Sequence, residues 1–318
     1  MVQLSNSLSV RKELHTCIVD TLNELMKKNH HIIALENTLD SLCRWSVLKK
    51  DNPKQYFNLT VDEEDIMGIA AGFSLAGYKP FIHLFDSHAM RKIFDQLFIS
   101  EGYRGDTINI FGGYLTSRSE SDKISQAGED LALMAMIPHS IICEATDEVQ
   151  MTWLIKEFSR MDGIHYVRGE NKKLPNIYKK ETAFQLGRGN IILQGTDILI
   201  IVAGRPVYEA LNVAKYLKAR QISCEVIDMF TIKPIDKQLI LKEIKGKKQV
   251  ITIENYAVIG GLSSAVASSL SESNTAIPLK KIELLKLKQQ AGVPIKTDPI
   301  DLMIQLIVKT ILTNYLEE

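Results

Sequence analysis

Asp62, Glu63, Glu64 and Asp65 are four consecutive carboxylates placed directly ahead of an apolar, Ala/Gly-rich run, IMGIAAGFSLAG. Acids at the start of a helix complement the positive end of its dipole. A carboxylate held at the mouth of a packed helix is also placed for proton transfer. Both readings stand on these residues alone. Gly260-Gly261, ahead of LSSAVASSLSES, is a second candidate. It reads either as an anion cradle at a helix start or as a tight turn with close packing. The seven histidines are scattered, and one such as His139 reads as a surface or capping residue. Cys17, Cys43, Cys143 and Cys224 lie too far apart in sequence for a zinc motif, and they read as thiols in a reducing compartment. No P-loop, dinucleotide fingerprint, H-E-x-x-H or nucleophile elbow is present.

The elements that must position these residues alternate. In the second half, the continuous apolar run at 197–204 reads as a strand buried on both faces, and 223–230, 248–255 and 279–284 read as further strands. Helical periodicity lies between them: a helix opening at Pro206, one near Pro234-Ile235-Asp236, one after Gly260-Gly261, and a last one from about Asp298. In the first half, helices are expected at 11–28, 63–77 and 129–137, with strands at 31–37, 80–85, 107–113 and 140–145. Strands alternating with helices imply α/β domains, each a doubly wound parallel sheet covered on both faces. A Pro-, Lys- and Gly-containing stretch interrupts the pattern. It divides the chain into a first domain over 1–172, a linker at 173–189 and a second domain over 190–318.

The 318 residues suit two such domains. Lysine plus arginine and aspartate plus glutamate number 38 each, so the net charge is zero and a dedicated nucleic-acid binder is not expected. No apolar run is long enough to span a bilayer. MVQLSNSLSVRKEL lacks the apolar core of a secretory signal, so a cytoplasmic protein is expected.

Taken in order, several segments resemble the transketolase family. EEDIMGIAAGFSLAGYKPF is similar to its E-Q-N-M-V-G-I-A-A-G-x-A-x-x-G-x-x-P-F stretch. MRKIFDQLFIS and SQAGEDLALMAMIP are similar to its R-R-x-x-D-Q and H-Q-x-x-E-D-x-A-L-M-R-x-I-P segments. In the second half, VIDMFTIKPID and ITIENYAVIGGLSSAV resemble V-x-x-x-x-x-K-P-x-D and E-E-H…GGLGSAV. The resemblance covers nearly the whole chain. It implies a pyrimidine-binding domain followed by a transketolase C-terminal-like domain, with thiamine diphosphate as cofactor. Glu63 then matches the essential acid, which hydrogen-bonds the pyrimidine ring and drives it to the imino tautomer that deprotonates the thiazolium carbon. Phe85 matches an aromatic beside that ring. His88 stands where a second aromatic stacks, and reads either as that stacking group or as a solvent-facing loop residue. Ser125 stands where the family's sugar-contacting histidine lies, a departure that points away from ordinary sugar phosphates. Arg168 and Arg11 match arginines that bind phosphate, whose oxygens suit the guanidinium fork, and each also reads as a surface charge.

The family's diphosphate and metal motif, G-D-G, has no counterpart here, so the chain itself is expected to hold no metal. The resemblance therefore implies a split transketolase. A separate N-terminal subunit would supply the diphosphate site and Mg2+ or Ca2+, two copies of each would form an α2β2 heterotetramer, and the helix after Glu63 would be an interface. The expected activity moves a two-carbon ketol unit between sugars, with a specialised biosynthetic substrate. Two alternatives stand beside it. One is a beta-type subunit of another thiamine enzyme, decarboxylating a 2-oxo acid or resembling deoxyxylulose-phosphate synthase. The other is a non-catalytic subunit.

Overall fold

The computed structural model describes residues 3–5, 10–36, 45–84, 87–100, 105–114, 128–170, 173–255, 259–273, 276–294 and 299–315, with backbone alone at 10–12, 46, 87–88, 113–114, 170, 173–175 and 314–315. The chain forms two compact units that divide between Phe184 and Gln185.

The first unit runs β1 (Val10–Glu13), α1 (Leu14–Lys28), β2 (Ile32–Glu36), α2 (Ser46–Asp51), β3 (Tyr56–Asn58), α3 (Glu63–Leu75) and β4 (Lys79–Leu84). It continues with α4 (Ser87–Ile99), β5 (Ile108–Tyr114), α5 (Asp130–Met136), β6 (Ile141–Glu144), α6 (Glu148–Phe158), β7 (Ile164–Glu170) and β8 (Lys173–Pro175). Strands of this unit lie in the order β6-β7-β5-β4-β2-β3. Every neighbouring pair among them is parallel. Parallel strands need covering on both faces, which is why IIALE of β2 is buried at all of its positions. Helix α1 packs with α2 and α6, whereas α3 packs with α4 and α4 with α5. Gly112 of β5 is glycine for a steric reason: a side chain there would collide with the Tyr166 hydroxyl on β7.

The second unit runs β9 (Asn190–Leu193), β10 (Ile198–Val202), α7 (Pro206–Lys218), β11 (Cys224–Asp228), β12 (Thr231–Lys233), α8 (Lys237–Glu243), β13 (Gln249–Glu254), α9 (Leu262–Ser271), β14 (Leu279–Glu283), α10 (Leu284–Gln290) and α11 (Ile300–Tyr315). Its sheet has the order β14-β13-β10-β11-β9. All pairs are parallel except β11 with β9, at the edge. ILIIV of β10 lies at the centre and is wholly buried. Pro206 opens α7, where its missing N–H costs nothing. Asp236 caps α8 by accepting from the Leu239 amide at 3.0 Å.

Two boundaries differ from the periodicity. Residues 11–13 are strand rather than helix, because β1 pairs with β8. Residues 173–184, in the stretch expected to link the domains, pack with the first unit. The Asp147 carboxylate accepts from the Ile177 and Tyr178 amides, both at 2.8 Å. Among the described residues no helix is long and apolar enough to cross a membrane.

Candidate active site

Because the strands of the first sheet are parallel, their C-terminal ends share one edge, where open α/β sheets hold their ligands. Glu36, Asn58, Leu84 and Glu144 are the final residues of their strands at this edge. Helix α3 starts there too, with Asp62 as its N-cap and Glu63, Glu64 and Asp65 in its first turn. The acids thus complement the helix dipole, and Glu63 also does more. Its Oε2 accepts from Lys92 Nζ of α4 at 2.8 Å. The two side chains keep 29% and 35% of their surface exposed, so the carboxylate is reachable from outside and yet held. The hydrogen bond and charge of Glu63 raise the Lys92 ammonium above its ordinary pKa, with smaller contributions from Glu64 and Asp62. One residue earlier on α4, Arg91 pairs with Glu129 ahead of α5.

Arg168 lies near the end of β7, and its guanidinium is enclosed. Nη1 donates to Asp130 Oδ1 at 3.1 Å and Nη2 to Glu144 Oε2 at 2.9 Å, with 2% of the arginine side chain exposed. The Tyr166 hydroxyl donates to the other Asp130 oxygen at 2.5 Å, and burial holds that phenol well above its usual pKa. In this arrangement Arg168 ties α5, β6 and β7 together. It is not a surface charge, and two of its nitrogens are engaged by carboxylates.

Consecutive strand residues point to opposite faces. The other face near this edge carries a different polar cluster. His83 of β4 contacts His15 of α1, with ring centroids 4.8 Å apart, and Trp45 lies 5.6 Å away. Burial lowers His15 to about 4 and His83 well below the ordinary value, so both are neutral. Nearby, the Tyr56 hydroxyl donates to Glu36, whose carboxyl is raised by burial.

In the second unit the Gly260-Gly261 question has an internal answer. Glu254, at the end of β13, accepts from the Leu262 and Ser263 amides at 2.9 and 2.8 Å. The anion at the start of α9 is therefore the chain's own carboxylate.

Of the site residues that the family resemblance picks out, Glu63 and Arg168 are placed in full. Glu63 pairs with Lys92 of α4 and Arg168 with Asp130 of α5. Arg11 falls in β1 and His88 in the first turn of α4, with their side chains outside the described residues. Phe85 and Ser125 lie outside the described residues altogether. Lys92, Asp130 and Glu144 were not anticipated. Each meets its partner only through the fold, across 24 to 38 residues of sequence.

Residues 12–176 match the family model for the transketolase pyrimidine binding domain, and residues 187–306 match that for the transketolase C-terminal domain. The chain belongs to the transketolase family. A Methanocaldococcus jannaschii chain named for a transketolase C-terminal section is 30% identical over 295 residues, 92% of each chain. The 6-deoxy-6-sulfo-D-fructose transketolase subunit SqwH of Clostridium sp. is 30% identical over 272 residues, 85% of this chain and 84% of that one. Among solved structures, one described as a split gene transketolase, inactive beta4 tetramer, superposes with a TM-score of 0.81 at 29% identity, covering 94% of this chain and 98% of the other. Transketolases are thiamine diphosphate enzymes, so the first unit, with Glu63 at its edge, is the pyrimidine-binding domain and the second is the C-terminal domain.

Proposed function

We propose that this chain is the C-terminal subunit of a split transketolase, in which Glu63 activates thiamine diphosphate for transfer of a two-carbon ketol unit between sugars. The observation that carries the reading is the placement of Glu63: a half-exposed carboxylate in the first turn of α3, at the ligand-binding edge of a pyrimidine-binding domain. That carboxylate suits the cofactor's ring, because a heterocyclic nitrogen needs one ionisable oxygen within reach and little else from this chain. When bound, the cofactor supplies the carbanion chemistry. The protein's part is to hold the Glu63 carboxylate against the ring nitrogen, orient the ring and exclude water. Phe85 and His88 would flank the ring, and Ser125 and Arg11 would face the sugar.

The diphosphate and its Mg2+ or Ca2+ are assigned to a separate N-terminal subunit, in an α2β2 assembly in the cytoplasm. Two observations support a missing partner. A similar chain is described as inactive when it forms a tetramer of its own kind. Along α3, Gly68 and Gly72 are exposed with open space beside them, and Leu75 keeps 65% of its surface exposed. Small residues on an apolar helix let another backbone approach closely, and an exposed leucine of that size suits a covered face. The substrate is a specialised sugar: Ser125 departs from the family pattern, and a similar subunit is named for a sulfo sugar.

Co-expression with the N-terminal subunit, followed by co-purification and calorimetric titration with thiamine diphosphate and Mg2+, tests this reading. Cofactor binding by the complex, absent from either chain alone and weakened by Glu63→Gln, is expected. A complex that forms and binds no cofactor would leave a non-catalytic subunit as the better account.

A further inference from the structure

The Lys92–Glu63 pair bridges α4 and α3 at the point where the proposed chemistry needs a carboxylate of controlled charge and direction. Other charged groups lie close by. Asp62, Glu64 and Asp65 flank Glu63 on its own turn, and Arg91 is engaged by Glu129. Three neighbouring carboxylates favour protonation of the fourth. The Lys92 ammonium, in hydrogen-bond contact, works against them, because an opposite charge at this distance favours the ionised acid. A carboxylate has two oxygens and about four acceptor sites. The ammonium on Oε2 and an N–H donated by a protonated ring nitrogen can therefore coexist.

We propose that Lys92 is a positioning residue for Glu63: it keeps the carboxylate ionised among the other acids and aims it along the α3–α4 seam toward the incoming pyrimidine. The proposal rests on the transketolase reading for its purpose and on the ion pair alone for its geometry. Lysine suits the task, since its flexible stem holds a point charge that can follow the carboxylate when the ring arrives.

The test uses the full-length chain labelled with 13C at glutamate carboxyls, with the Glu63 resonance identified by its loss in Glu63→Gln. In Lys92→Met the titration midpoint of Glu63 should move up, and Lys92→Arg should restore it. Glu64→Gln should move it down, the opposite of the lysine variant. An unchanged midpoint in Lys92→Met, or no recovery with arginine, would overturn the proposal. Should Lys92→Met fail to fold, the Lys92 amine itself is followed in the wild type and in Glu63→Gln. Its midpoint should fall in the variant, and a midpoint that stays put would equally overturn the idea. In the assembled complex, the pH dependence of thiamine diphosphate affinity should shift in Lys92→Met in the same direction as Glu63. A wild-type complex without cofactor binding would sink the transketolase reading, while the titrations of the free chain would still judge Lys92.

Discussion

Arg168 Nη2 lies 2.9 Å from Glu144 Oε2, and neither side chain reaches solvent to any useful extent. Asp130 holds the other guanidinium nitrogen at 3.1 Å. Burying an arginine is tolerable only with such partners, because an uncompensated charge in the interior is expensive. Replacing Glu144 by alanine removes one partner and leaves the other charges in place. The expected loss is roughly 3 kcal/mol or more of folding stability, read from urea denaturation. Glu144→Gln, which can still accept a hydrogen bond from the guanidinium, should lose less. If both variants are as stable as the wild type, the cluster is not a structural tie and Arg168 is available for ligands.

Much of the architecture was legible because burial writes itself into composition. DILIIVAG holds an unbroken apolar run and KQVITIEN a branched, apolar middle, and the two pair near the centre of the second sheet. Glu63 stands out in the sequence because its helix is similar to a family motif. The edge strand β9, the three-residue β3 and the helix α10 carry too few residues for periodicity to mark them. β1 depends on β8, more than 150 residues away, so its own residues read as helix. The charge pairs were illegible for the same reason. Lys92 and Glu144 look like ordinary surface residues until α4 meets α3 and β6 meets β7.

Two glycines should respond in opposite ways. Gly112→Ala drives a methyl group into the Tyr166 hydroxyl, which is itself held by Asp130. Overpacking of this kind costs about 1–3 kcal/mol and would lower the thermal midpoint of the chain. Gly68→Ala, in helix α3 with nothing within 4 Å, should raise the stability of the isolated chain by up to about 1 kcal/mol. Gly68→Leu should leave the chain folded and prevent assembly with the N-terminal subunit, measured by analytical ultracentrifugation. Normal assembly of that variant would remove α3 from the interface.

Acid should weaken the first unit through its buried histidines. Burial depresses His15 and His165 to about 4, from 6.5 for an exposed imidazole. The unfolded chain therefore binds protons below pH 6.5 that the folded chain refuses. The stability these groups contribute is full above that pH and is lost as pH falls toward 4. Asp147, pushed up to about 6 by burial, acts in the opposite sense over an overlapping range, so the histidine contribution is best isolated by difference. His15→Phe should be less acid-sensitive than the wild type, by about 1–2 kcal/mol between pH 7.5 and 5. Equal acid sensitivity would mean that His15 is not kept neutral in the fold.

The central claim is that Glu63 activates the cofactor, and the most direct measurement is deuterium exchange at the thiazolium carbon of thiamine diphosphate bound to the assembled complex. Quenched samples read by proton NMR give the exchange rate. The wild-type complex should exchange fast, and the Glu63→Gln complex, still assembled and still holding cofactor, should exchange roughly a hundredfold or more slowly. Equal rates in the two complexes would contradict the assignment of Glu63 and with it the proposed role of this chain.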